Sequence, residues 1–244
     1  MRELEVKAML AGKEASLSRY PFWTERRYTG IMLMLGCVLF LVAAALSPTD
    51  EKGTSMYDLP MREALIAVFH HWSSWQWGLL LFCIAVVVSL LGFARLTSIL
   101  WERGNHVFSF WGLIALTLAT GFFLLDMTFR RSIEYWAAQE TARTNAIPAL
   151  YQQLSLWDST IFQVYTVLIF FAAIMYGAAI ALTRILPRWL GWVIIVYSLA
   201  GTIAFVILND MPPFVHYLLP IAMGVLLLLP RYQLPALSAE SQND

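Results

Sequence analysis

Apolar residues in this chain come in runs of about twenty, each long enough to cross a hydrocarbon layer about 30 Å thick as a helix rising about 1.5 Å per residue. Six such runs can be marked: roughly Tyr28 to Leu46, Gly78 to Leu100, His106 to Phe129, Ser159 to Leu182, Gly191 to Leu208 and Phe214 to Leu229. The breaks between them carry helix-ending chemistry. Ser47-Pro48 closes the first run, Trp101 to Asn105 forces a tight hairpin, Pro187 and Asn209 to Pro213 mark later turns, and Pro220 loosens the last run. The pattern predicts an all-α protein, a six-helix transmembrane bundle.

Two shorter pieces read as interfacial helices. One lies within residues 1–27, where charges alternate with Met9, Leu10, Leu17, Tyr20 and Trp23. The other starts at Pro60 and runs to His70-His71, with Trp72, Trp75 and Trp77 marking headgroup depth. Between spans three and four, a long outer loop is expected to stay helical past Asp126, to break near Asn145 and Pro148, and to resume toward Trp157. Ser155 and Asp158 have the spacing of a capping box, and Ser73 and Ser74 read as N-cap residues for span two. Ala173, Gly177 and Ala181, four residues apart, form a small-residue stripe that places span four against a neighbouring helix.

Composition agrees with the pattern. Of 244 residues, 59% are hydrophobic and 13% charged, against about a quarter charged in soluble domains. The partner this implies is the lipid bilayer. Net charge is zero and no Lys/Arg block tracks phosphates, so nucleic acid is excluded as a partner. Cys37 and Cys83 sit inside apolar runs as small hydrophobes. The first 27 residues are too long and too mixed in charge for a cleaved signal peptide, so the first span is expected to remain.

Charge then orients the chain. With the N-terminus inside, the cytoplasmic side holds Arg2, Lys7, Lys13, Arg19, Arg26, Arg27, Arg95, Arg103, Arg184, Arg188 and Arg231, eleven bases; the other side holds Lys52, Arg62, Arg130, Arg131 and Arg143, five. The positive-inside rule puts both termini in the cytoplasm of a cell-membrane protein. The domains expected are a cytoplasmic amphipathic segment (1–27), a six-span domain (28–230) and a disordered cytoplasmic tail (231–244).

This topology gathers titratable residues at the extracytoplasmic face: His70, His71, Asp126, Arg130, Glu134, Asp158, Asp210 and His216. Asp126, Arg130 and Glu134, four apart, form a ladder of alternating charge on a continuing helix, and they are the candidates for acid-base catalysis. His70, His71, Asp126, Asp158 and His216 are the candidate metal ligands, since divalent cations accept imidazole and carboxylate. His71 with His216 is the one pair at a depth suited to a bis-histidine haem b. No HExxH, HxxxH or GxSxG spacing accompanies these residues. With no charge at mid-membrane, ion-coupled transport is disfavoured.

The turn Leu186-Pro-Arg-Trp-Leu-Gly-Trp192 and the opening Tyr28-Thr-Gly-Ile-Met-Leu-Met-Leu-Gly36 resemble those of a bacterial family of small six-span membrane proteins of unknown function. The resemblance extends over residues 28 to 230 and implies a multi-pass membrane protein without an assigned activity. The leading expectation is a non-enzymatic accessory, regulatory or ligand-sensing component without a cofactor, contacting any protein partner through its N-terminal segment or outer loop. The alternatives are a membrane enzyme with an extracytoplasmic His/carboxylate site and a bis-histidine haem protein.

Overall fold

A computed structural model of the chain describes residues 22–208 and 217–229. Among these the regular structure is helical, apart from one isolated bridge between Thr49 and Ser55. The helices are α1 (Phe22–Ala45), α2 (Met61–His70), α3 (Trp72–Glu102), α4 (Val107–Phe129), α5 (Tyr135–Thr144), α6 (Ala149–Thr183), α7 (Arg188–Leu208) and α8 (Leu218–Leu228). A short 3-10 turn, Met56–Asp58, precedes α2, and a π-helical turn, Arg130–Glu134, joins α4 to α5 without a break.

Five stretches are long and apolar enough to cross a membrane: Glu25–Ala45, Trp72–Glu102, Val107–Thr144, Ala149–Thr183 and Arg188–Leu208. The protein is therefore a multi-pass helical membrane bundle. The expected sixth run contains α8, an apolar helix of 11 residues. The segments 1–21, 209–216 and 230–244, with the expected N-terminal surface helix, Asp210, His216 and the polar tail, lie outside the described residues.

Two sets of helices pack most extensively. Helix α1 lies against α3 and α8, while α6 lies between α4 and α7; α3 and α4 join the sets through their hairpin. Close approach depends on small residues where lipid gives helices no hydrophobic reason to associate. A Cβ on Gly177 would stand 2.8 Å from the Gly191 carbonyl oxygen, and one on Gly191 would stand 2.6 Å from that of Gly177. Gly30 and Gly224 make the same exchange between α1 and α8, each Cβ meeting the other's carbonyl at 2.9 Å. The stripe expected on span four is thus in contact with α7.

At one end the bundle is capped. Helix α2 packs on α5, burying Leu65 and Val68 against Ala137 and Ala138, and Trp72 stacks on Tyr135 with centroids 3.8 Å apart. Asn145, in the left-handed region at φ 60°, ends α5 where a break was expected. The opposite end is rich in arginine. There Arg26, buried inside α1, donates to the Ile185 carbonyl at 3.1 Å, and Arg95 pairs with Glu25 at 2.8 Å.

Three local expectations are corrected. Trp75 does not mark a headgroup level: its side chain is fully buried, because it shares the inward stripe of α3 with Leu79, Phe82 and Val86. Ser73 and Ser74 do not cap α3. His71 occupies the N-cap, and Ser74 donates back to its carbonyl. Ser155 and Asp158 form no capping box, since α6 begins at Ala149 behind Pro148 and both residues lie inside it.

Gly177→Leu should force α6 and α7 apart and cost about 1–3 kcal/mol, as overpacking does elsewhere. The check is the thermal unfolding midpoint of the purified protein; an unaltered midpoint contradicts the contact.

Candidate functional site

Helix α4 is apolar through Leu125 and then meets Asp126, about 28 Å along from Val107 at helical rise. A carboxylate so deep is costly unless paired. Its partner lies one turn on: Arg130 Nε donates to Asp126 Oδ1 at 2.9 Å, with Asp126 only 1% exposed. Arg130 Nη1 stands 3.7 Å from Glu134 Oε1, so the four-residue ladder forms as its spacing suggested. It forms across the π-helical turn, a feature often found where a helix places functional side chains.

A third carboxylate comes from another helix. Asp158 of α6 brings Oδ2 to 3.8 Å from Arg130 Nη2. The guanidinium is thus shared among Asp126, Glu134 and Asp158, and it stands 5.9 Å from the centre of the Tyr57 ring. Burial of its hydroxyl raises the Tyr57 phenol above its ordinary value; Arg130 opposes the rise, while Glu134 and Asp126 add to it. The Trp75 indole N–H bears on Glu134 without closing a hydrogen bond. Glu134 Oε2, Asp158 Oδ1, Trp75 Nε1 and Thr141 Oγ1 are all buried without a hydrogen-bond partner at this capped end.

The structure brings together Asp126, Arg130, Glu134 and Asp158, drawn from both the catalytic and the metal candidates. His70 and His71 are exposed at the joint of α2 and α3, with the His70 ring edge-on to Phe69. His216, named for both metal and haem, lies outside the described residues, as does Asp210. Among the described residues no group of three or more His, Cys, Asp or Glu side chains is arranged to hold a metal ion. The three carboxylates each face the guanidinium rather than a common empty point.

Sequence reasoning missed Tyr57 and Trp75 as members of this cluster, and named Asp158 as a metal candidate at the same face without pairing it to Arg130. Trp75 gave no sign of its place, because the positions around the stripe 75, 79, 82, 86 are nearly as apolar as the stripe itself. Asp158 was legible as a lone carboxylate beside an apolar run. Tyr57 gave no signal, being one residue of a polar loop.

A second feature lies deeper. A cavity of about 50 Å³ occupies the seam between the two helix sets, bounded by Val86 and Ser89 of α3, Ala119 and Thr120 of α4, Tyr165 of α6 and Met223 of α8. Its walls are overwhelmingly apolar. Toward the arginine-rich end it is closed by Tyr176, whose hydroxyl bonds Thr97 Oγ1 at 2.7 Å. Toward the capped end it meets Tyr165, which is tilted on Phe123, and Tyr217, which is stacked on Phe40 at 3.8 Å.

The chain matches no known family model, no curated protein and no solved structure. Its class, a multi-pass helical membrane protein, rests on its own helices.

Replacing Arg130 by alanine leaves three carboxylates buried around no cation, and loss of one partner from such a network costs about 3–5 kcal/mol. Arg130→Ala should fall by that amount in thermal unfolding and Arg130→Lys by less, because lysine restores charge without the three-way fork. Equal stability of Arg130→Ala and the parent would show that the cluster is solvated.

Proposed function

We propose that this is a non-enzymatic, ligand-sensing component of the cell membrane, with six crossings and both termini cytoplasmic. A sixth crossing is supported by α8, which is apolar throughout and packs along α1 through the Gly30–Gly224 contact. Orientation is supported by charge: Arg26, Arg27, Arg95, Arg103, Arg184 and Arg188 collect at one end. The turn at Leu186 to Trp192 supports kinship with the small six-span bacterial membrane proteins of unknown function.

The observation that carries the sensing role is the cavity on the seam. Ligand sites in helical bundles form between helices, from apolar walls and a few polar groups. A cavity of about 50 Å³ has room for a few water-sized groups at roughly 10–15 Å³ each, which suits a slim alkyl chain entering from the bilayer. Because α3 and α8 line one side and α4 and α6 the other, an occupant contacts both helix sets. It therefore favours one spacing of the sets over another, which is what a sensor requires.

The reading is tested by organic extraction and mass spectrometry of the purified protein beside Ala119→Phe, which fills the cavity from a fully buried position. An alkyl compound should accompany the parent in near-stoichiometric amount and be at least tenfold depleted in the variant. Equal yields from both remove the sensing role. Cysteine labelling from outside the cell should mark a cysteine placed at Lys52 and spare one at Arg103; the reverse result overturns the orientation.

A further inference from the structure

We infer that the occupant of the seam cavity is the methyl end of a phospholipid acyl chain, reaching in sideways while its headgroup stays at the membrane surface, a step that rests on the ligand-sensing reading above. Depth comes first. Ile169 and Ala173 of α6 both line the cavity. Ile169 lies eleven residues beyond Asp158 at the capped end, and Ala173 lies eleven residues before Arg184 at the arginine-rich end. At about 1.5 Å of rise per residue each interval is roughly 16 Å, close to half of a hydrocarbon core about 30 Å thick. The cavity therefore sits at the midplane, where the chains of both leaflets end.

The wall marks where a chain enters. Among the described residues that line the cavity, Ile169 and Ala173 alone are half-buried rather than buried, and they stand one turn apart on α6. Helix α8 supplies Leu219, Pro220 and Met223 to the same wall. It packs extensively on α1 but not on α6 or α7, so the gap between α6 and α8 is closed by side chains and not by joined backbones. Such a closure opens by side-chain rotation, which costs far less than parting two helices in close backbone contact.

The polar inventory admits hydrocarbon alone. Hydroxyls in the wall are committed: Thr120 donates to the Leu116 carbonyl at 2.9 Å, Tyr176 shares its hydrogen bond with Thr97, and Tyr165 pairs with Tyr217. Ser89 Oγ is turned into the notch at Gly36 of α1, where an added Cβ would collide with it. No Asp, Glu, Lys, Arg or His lines the cavity among the described residues. A phosphate, carboxylate or ammonium drawn inside would lose its hydration with nothing in return. The head of an amphiphile thus stays outside. A cavity of about 50 Å³ takes the last few carbons of a chain, at roughly 10–15 Å³ for each water-sized group. A tail anchored at either surface spans the half-core and arrives at the mouth methyl end first.

The test is photolabelling of the full chain in nanodiscs containing a trace of phosphatidylcholine with a diazirine at the methyl end of one chain or, in a parallel sample, beside the glycerol. Mass spectrometry maps the adducts. The end-labelled lipid should mark Leu116 and Met223, which are buried, as well as Leu118 and Val225, which are exposed. The glycerol-side label should mark the buried pair at least tenfold less. Ala173→Phe, which narrows the mouth, should cut marking of the buried pair at least tenfold and leave that of Leu118 unchanged. If Ala173→Phe fails to fold, the two label positions compared on the parent still decide. A buried pair left unmarked, marked equally by both lipids, or marked in folded Ala173→Phe as in the parent, overturns the inference. Marking of that pair by a diazirine fatty acid or alkane and not by the phospholipid also overturns it but leaves the ligand-sensing reading standing, since that reading falls on the extraction result.

Discussion

The structure depends on one guanidinium. Arg130 is where α4, which would otherwise expose Asp126 and Glu134 to an apolar surrounding, becomes compatible with burial beside α6 and Asp158. Without it, the capped end would carry three uncompensated carboxylates between helices, a cost that packing there cannot offset. With it, α4 and α6 are tied by charge at one end and by tight packing along their length.

This tie explains how the two levels of the molecule relate. Below the cluster, the interior becomes a layer of aromatic rings, Phe40, Phe82, Phe123, Tyr165 and Tyr217. Beneath that layer the two helix sets part enough to leave a cavity. Toward the arginine-rich end they meet again through Tyr176 with Thr97 and through Arg26 with Ile185. The sets are thus held at both ends and loosest in the middle.

The cap adds a constraint that membrane burial alone does not supply. Helices α2 and α5 are short and polar on one side, and each would be marginal in isolation. Packed together, with Trp72 stacked on Tyr135, they cover Trp75 and the carboxylates. The π-helical turn lets α4 run into α5 without a loop, so the ion-pair ladder sits on continuous helix instead of on a mobile connection.

Much of this was legible in the chain. Hydrocarbon-length apolar runs, the break at Asn145 and Pro148, and the Asp126, Arg130, Glu134 spacing are local signals, because helical periodicity and turn chemistry act over a few residues. The small-residue stripe at Ala173, Gly177 and Ala181 likewise announced close packing, though not that Gly191 would meet it. Only the tertiary structure decided that Trp75 is core, that Asp158 joins Arg130 from another helix, and that a cavity opens on the seam. Those facts depend on which helix faces lie against each other. In a nearly uniform apolar sequence, hydrophobicity does not distinguish a face turned to lipid from one turned to protein, so the choice falls to side-chain shape and buried charge.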